Sequence, residues 1–188
     1  YLKLKESSKN FENLKVFMDS IFKPVWDTAL KWAENHFPSE NINKSIPQKE
    51  RTLSPSDFGF HNILIRGDGS LCFIDLEYFG FDDPVKLIAD FIWSPGNSLS
   101  ISQKKLWVEE SLNIFGKTEK IQDRIVAAWP VIGLRWSLIL LNEFLKEGWE
   151  KRVHAGQELA ELHKENLENQ LNKVNKQLFI SANQHLGL

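Results

Sequence analysis

Apolar residues recur at helical spacing in the first part of the chain, between residues 11 and 37. The apolar positions are Leu14, Phe17, Ile21, Val25, Leu30 and Ala33. This period predicts an amphipathic helix. Pro24 lies within it and is expected to kink or divide the helix, because proline has no backbone N–H to donate. The helix is expected to end near Phe37, and the polar stretch 38–50 predicts an exposed loop.

Two short β-prone runs come next, and they break the helical pattern. They occupy residues 62–65 and 71–74, and the five residues between them, 66–70, include two glycines. Two short runs joined by a glycine-containing turn predict a β-hairpin. Because an isolated two-stranded hairpin is only marginally stable, this one is expected to lie against a larger body.

Helical patterns then continue to the end of the chain. The predicted helices span residues 84–93, 102–115, 119–145 and 150–182. Asp83 and Pro84 mark the first of these starts, since a carboxylate caps a helix and proline suits its first position.

The predicted fold class is therefore mainly α with a small β-hairpin (α+β), organised as a single domain over residues 1–188. Its parts are a helix and loop (1–50), the hairpin region (51–83) and a helical subdomain (84–188).

Composition narrows the possible functions. The 188 residues carry a net charge of −2, which disfavours nucleic-acid binding because such proteins usually carry a basic excess. The single cysteine, Cys72, excludes an internal disulfide and a cysteine-based zinc site. The longest apolar stretch, 131–145, contains Arg135 and Glu143 and is too short to span a membrane. We therefore expect a cytoplasmic protein.

Three oxygen-bearing side chains surround the predicted hairpin. Asp57 and Asn62 are five residues apart on the segment that enters the first strand, and Asp75 ends the second strand. A turn near residues 67–69 would bring Asn62 and Asp75 to the same open end of the hairpin. Magnesium prefers oxygen ligands and keeps several waters, so one amide and one carboxylate can hold it together with nucleotide phosphates. A further carboxylate can orient an attacking hydroxyl, as phosphoryl transfer requires.

This stretch, from Leu53 to Asp90, resembles the aminoglycoside/choline phosphotransferase superfamily. The resemblance implies the C-terminal lobe of a protein-kinase-like fold and a small-molecule kinase activity that moves the γ-phosphate of ATP or GTP to a hydroxyl of a small substrate. It also implies that Asp57 is the catalytic base. Asn62 and Asp75 are then the magnesium ligands and, through the metal, the nucleotide-binding residues.

Departures from the family pattern define the alternatives. Asp75 is followed by Leu76-Glu77 rather than Phe-Gly, which favours the small-molecule branch over protein kinases. Pro55 stands where the family often has histidine. No glycine-rich phosphate loop precedes Asp57 and the chain opens on Tyr1. We therefore expect a fragment of a longer enzyme whose nucleotide-binding N-lobe lies on the same gene product.

Two other functions remain open from the sequence. If the nucleotide-binding lobe is truly absent, the chain is a non-catalytic binding or scaffold module derived from a kinase. A glycosidase using Asp57 and Asp75 as acid and base is a further alternative, although the adjacent Asn62 favours a metal.

Several neighbouring residues have a structural or a functional interpretation. Glu77 is expected either to join the metal shell or to pair with a nearby Lys or Arg. Asp83 is expected to cap a helix, and Asp90 to support the loop that carries Asp57. His61 is expected to point away from Asn62 on the strand and to serve packing.

Overall fold

A computed structural model describes residues 9–37, 44–116 and 120–141. The helices are α1 (Lys9–Phe17), α2 (Lys23–His36), α3 (Pro84–Trp93), α4 (Ile101–Phe115) and α5 (Ile121–Leu140). The strands are β1 (Thr52–Ser54), β2 (Ile63–Ile65), β3 (Leu71–Phe73) and β4 (Gly80–Asp82). The structure is mainly helical with two small antiparallel sheets, which confirms the α+β prediction at that level.

The chain divides into two compact units. Of the described residues, one unit contains 9–31 and 133–141, and the other contains 32–37, 44–116 and 120–132. The organisation of residues 1–188 as one domain stays a prediction. All three predicted site residues belong to the second unit.

The predicted first helix exists, and it is divided where Pro24 requires it. A π-helical turn, Met18–Phe22, separates α1 from α2, and the N–H of Lys23 bonds the carbonyl of Met18 five residues earlier. Proline at position 24 cannot donate to the preceding turn, so the wider π turn adjusts the backbone hydrogen bonds just before it. Phe17 and Phe22 are buried in this unit, with ring centroids 6.4 Å apart.

The predicted hairpin is also present. β2 pairs with β3 in antiparallel register, with Ile63 opposite Phe73 and Ile65 opposite Leu71. The turn is closed by the N–H of Arg66, which donates to the carbonyl of Ser70 over 2.9 Å. Asn62 was predicted in the first strand, but it lies in a 3-10 turn, Phe60–Asn62, immediately before it.

A second small sheet was not predicted. β1 pairs with β4 in antiparallel register, with Ser54 opposite Gly80 and Thr52 opposite Asp82. This pairing joins the two ends of the segment 55–79. The Asp57 loop and the whole β2–β3 hairpin belong to that segment. The two ends of the region that carries the predicted site are therefore held together.

Helix α3 directly follows β4 and is anchored at its first turn. Asp83 caps it as predicted, because its Oδ1 accepts a 2.8 Å hydrogen bond from the N–H of Val85. Arg124 on α5 donates to the same carboxylate and also lies 3.7 Å from Glu50. The start of α3 is thus tied both to α5 and to the segment before β1.

Buried apolar side chains on α3, α4 and α5 form the core of the second unit. The most deeply buried include Ile88, Val108 and Ile125. The indole N–H of Trp107 donates 3.0 Å to the carbonyl of Ile88, which fixes α4 against α3. The predicted helices 84–93, 102–115 and 119–145 correspond to α3, α4 and α5, whereas the predicted helix 150–182 lies outside the described residues. None of the described helices is long and apolar enough to cross a membrane.

Candidate functional site

A tight backbone turn presents Asp57. The hydroxyl of buried Ser54 accepts a 3.1 Å bond from the N–H of Ser56, and the N–H of Asp57 bonds the carbonyl of Pro55 over 2.8 Å. Ser56 adopts a left-handed conformation with φ of 62°. Left-handed backbone at a non-glycine residue is uncommon and occurs often at functional sites. The chain therefore reverses direction directly before the Asp57 carboxylate.

Asn62 is bonded to this turn from the other side. Its side chain is buried, and its Nδ2 donates 2.9 Å to the backbone carbonyl of Asp57. A carbonyl can only accept, so the nitrogen of the amide must face it. The other amide atom, Oδ1, is then directed away from the Asp57 carbonyl. Two of the three predicted site residues are therefore in direct contact.

Asp75 lies one step beyond the partner of Asn62. The N–H of Ile74 donates 3.0 Å to the backbone carbonyl of Asn62, which extends the β2–β3 pairing by one residue. Asp75 follows with φ of 57° and an exposed side chain. Such a conformation costs roughly 1–3 kcal/mol at a residue other than glycine. The pairing with β2 thus ends at Ile74, one residue before the predicted site residue Asp75.

Three acidic side chains raise the pKa of the Tyr78 phenol. A hydrogen bond with Glu77 raises the pKa of the Tyr78 phenol, and the negative charges of Glu77, Asp75 and Asp57 raise that pKa further. Charges act on a phenol in this way only over short distances at an exposed site, where solvent screens them. The Asp57 and Asp75 carboxylates are therefore both near enough to Tyr78 to act on its phenol.

The Glu77 carboxylate accepts a hydrogen bond from the phenol of the next residue, Tyr78, and its place in a metal shell stays a prediction. Tyr78 itself was not singled out from the sequence. Its position immediately after the Asp75-Leu76-Glu77 strand end was the signal that could have identified it.

The predicted position of His61 on a strand was wrong. His61 lies in the 3-10 turn rather than on a strand, so the side-chain alternation of a strand does not apply to it. Its Nε2 is 3.5 Å from Oδ2 of Asp57, and both side chains are about half exposed. His61 therefore faces the predicted base.

Asn97 was also missed. Its side chain is buried, its Oδ1 accepts a 3.0 Å bond from the N–H of Phe60, and its Nδ2 donates 2.8 Å to the carbonyl of Phe91. This one amide joins the site loop to the last part of α3. Asn97 lies between the predicted helices 84–93 and 102–115, and its partner in the loop is 37 residues away.

Asp90 is buried on α3, and Lys86 is one of its partners, while its support of the Asp57 loop stays a prediction. The Lys86 ammonium lies 3.1 Å from Asp90 and 3.1 Å from Asp82. A buried carboxylate is costly unless it is paired. Lys86 thus balances Asp90 while it links α3 to the end of β4.

The donors fit magnesium held jointly with a nucleotide. Asn62 and Asp75 offer one amide and one carboxylate oxygen, and magnesium usually takes only one or two protein carboxylates plus phosphates and waters. Within residues 9–37, 44–116 and 120–141, no three His, Cys, Asp or Glu side chains are grouped to bind a metal by themselves. Magnesium and ATP or GTP stay predictions.

A scan against protein-family models and searches of curated proteins and of solved structures gave no match for this chain.

Proposed function

We propose that this protein is a phosphotransferase that moves the γ-phosphate of ATP or GTP to a hydroxyl of a small molecule. The observation that carries the proposal is the hydrogen bond from Asn62 to the Asp57 backbone, beside the strand end at Asp75. Together with the hydrogen bond from the Ile74 N–H to the Asn62 carbonyl, it supports a shared site for Asp57, Asn62 and Asp75. The same proposal takes the second unit as the C-terminal lobe of a kinase-like fold.

Each residue has a role set by its chemistry. Asp57 accepts a hydrogen bond from the acceptor hydroxyl and orients it toward the γ-phosphorus. Asn62 Oδ1 and the Asp75 carboxylate hold magnesium, which neutralises negative charge on the nucleotide phosphates when it is bound. The buried Asn62 amide donates to the Asp57 backbone through Nδ2 and is proposed to bind the metal through Oδ1. It therefore holds the base at a fixed position relative to the proposed metal.

The proposed transfer is a direct in-line displacement. The hydroxyl oxygen of the acceptor forms a bond to the γ-phosphorus as the bond from that phosphorus to the β–γ bridging oxygen breaks. The hydroxyl proton passes to the Asp57 carboxylate, and the nucleoside diphosphate departs with the electron pair of the broken bond. Such a reaction depends mainly on positioning and on charge neutralisation.

The test is transfer of labelled γ-phosphate from ATP and from GTP by the complete product of the gene. The acceptors are a panel of aminoglycosides, choline and sugars. Transfer to water is measured where none of these is phosphorylated. Asp57→Asn is expected to lower turnover by roughly 100- to 10,000-fold, the usual contribution of a general base. Asp68→Asn, at the exposed turn of the hairpin, is the matched control and is expected to retain turnover.

Two results would count against the proposal. Full turnover in Asp57→Asn would show that Asp57 is not the base. Absence of both nucleotide binding and phosphate transfer in the wild-type protein would contradict the enzyme and leave the non-catalytic binding module as the better account.

A further inference from the structure

His61 is placed against the carboxylate that the proposed reaction uses. Its Nε2 lies 3.5 Å from Oδ2 of Asp57, four residues earlier in the chain. The two side chains are 46% and 44% exposed, so the pair borders solvent and is accessible to an acceptor. The proposed function gives Asp57 a task but gives none to this imidazole.

The space beside Gly59 is shaped for the imidazole. A Cβ atom at Gly59 would stand 2.6 Å from Cε1 and 2.7 Å from Nδ1 of His61, closer than any real contact. A Cβ at Gly96 would lie 3.5 Å from the same Nδ1. Gly59 has an extended backbone with φ of −161°, so its dihedral angles do not require glycine. The close approach of the His61 ring is what requires it.

The backbone on both sides of His61 is fixed. The N–H of Phe60 donates to buried Asn97, and the side chain of Asn62 donates to the Asp57 carbonyl. The N–H of Asn62 also bonds the carbonyl of Gly59 over 3.0 Å. These bonds fix the backbone from which the His61 side chain extends toward the Asp57 carboxylate.

We propose that His61 is a positioning residue for Asp57. Its Nε2–H donates to Oδ2, which fixes the carboxylate plane and directs Oδ1 toward the acceptor hydroxyl. The catalytic consequence rests on the proposed function. His61 itself takes no proton from the acceptor, because the nitrogen near the reacting carboxylate is engaged as its donor.

Kinetics of the complete gene product test the consequence. His61→Ala is expected to lower kcat about 10- to 100-fold, since a misplaced catalytic group costs this much, and to leave the KM for the magnesium–nucleotide complex unchanged. His61→Gln is expected to recover most of kcat, because its amide nitrogen can reach the position of Nε2. In an Asp57→Asn background, His61→Ala is expected to have little further effect. His36→Ala, at an exposed histidine on α2, is the control.

A purely structural role would show a different result. It would predict equal loss in His61→Ala and His61→Gln, together with parallel changes in kcat and KM. That outcome, or an unchanged kcat in His61→Ala, would overturn the proposal while the wild-type phosphate transfer still supported the proposed function.

A second measurement does not depend on activity. Long-range proton–nitrogen NMR of the 188-residue chain identifies which ring nitrogen of His61 carries hydrogen at neutral pH. We expect hydrogen on Nε2 in the wild type and loss of that preference in Asp57→Ala. Hydrogen on Nδ1 alone would overturn the positioning role. If the wild type transfers no phosphate, the proposed function fails, and this spectrum still decides whether His61 orients Asp57.

Discussion

The side-chain amide of Asn62 donates a 2.9 Å hydrogen bond to the backbone carbonyl of Asp57, from a buried position at the start of the β2–β3 hairpin. This bond closes the loop 57–62 into a fixed arc. It directs the amide oxygen of Asn62 away from the Asp57 carbonyl, so that one side chain both holds the loop and leaves its oxygen for the proposed metal. Both the stability of the protein and its proposed activity are therefore expected to depend on Asn62.

Asn62→Ala is expected to destabilise the protein by about 1–2 kcal/mol, because the Asp57 carbonyl loses its donor and a buried site loses its amide. Urea unfolding followed by circular dichroism measures the change. Asn113→Ala, at an exposed position on α4, is the control and is expected to stay within about 0.5 kcal/mol of the wild type. Equal stability of both variants would show that the Asn62 bond contributes nothing.

Gly59→Ala is expected to cost about 1–3 kcal/mol, because the added methyl group overlaps the His61 ring. In a His61→Ala background the same substitution is expected to cost much less, since the clashing ring is gone. The double-mutant cycle in urea gives the coupling between the two positions. Gly67→Ala is the control, as an added Cβ there meets no atom within 4 Å. Additive effects of Gly59→Ala and His61→Ala would contradict the packing described for this glycine.

The pKa of Tyr78 is expected to fall when the nearby carboxylates are neutralised. Glu77→Gln should lower it most, because the Glu77 hydrogen bond is its largest cause, and Asp75→Asn and Asp57→Asn should each lower it by less. Carbon-13 NMR of the phenol ring measures it in a Tyr1→Phe background, which removes the other tyrosine. Asp68→Asn should leave it unchanged. An unaltered pKa in both Asp57→Asn and Asp75→Asn would separate these carboxylates from Tyr78.

The raised pKa of Tyr78 also fixes the sign of a pH effect on stability. Above the ordinary tyrosine value of about 10, the unfolded chain loses the phenolic proton while the folded protein still holds it. The contribution of this group to the free energy of unfolding is therefore present below that pH and declines as pH rises through the folded pKa. A Tyr78→Phe variant is expected to lack this decline, as seen in urea midpoints across the alkaline range.

Arg124 is expected to couple strongly to Asp83, because the largely buried guanidinium donates to the carboxylate that caps α3. Arg124→Ala should cost about 2 kcal/mol, less than the loss from a fully buried pair. Asp83→Ala should lose the cap as well, and the double variant should fall short of the sum. Gln122→Ala, an exposed neighbour on α5, serves as the control. Full additivity would mean that the pair contributes no interaction energy.

The sequence predicted the elements whose signals are local. The hairpin followed from two apolar runs around a glycine turn, and α3 followed from the Asp83-Pro84 start. The β1–β4 sheet could not be predicted in this way, because each strand has three residues and the partners Ser54 and Gly80 are 26 positions apart. Short strands of this kind are selected by tertiary packing rather than by their own propensity.

The site was predicted in part for the same reason. The proximity of Asp57 and Asn62 followed from their short spacing and from the hairpin. The contact of His61 with Asp57 was missed because the residues before β2 form a 3-10 turn rather than the start of the strand. Asn97 was missed because its hydrogen bond to Phe60 joins distant parts of the chain, and no local pattern reports such a contact.

Binding of a magnesium complex of a non-hydrolysable ATP analogue, followed by calorimetry in the complete gene product, tests the central claim most directly. The account predicts magnesium-dependent binding by the wild type, by Asp57→Asn and by the Asp68→Asn control, and loss of that binding in Asp75→Asn. Binding of equal strength in Asp75→Asn and the wild type, or binding unaffected by removal of magnesium with EDTA, would contradict it.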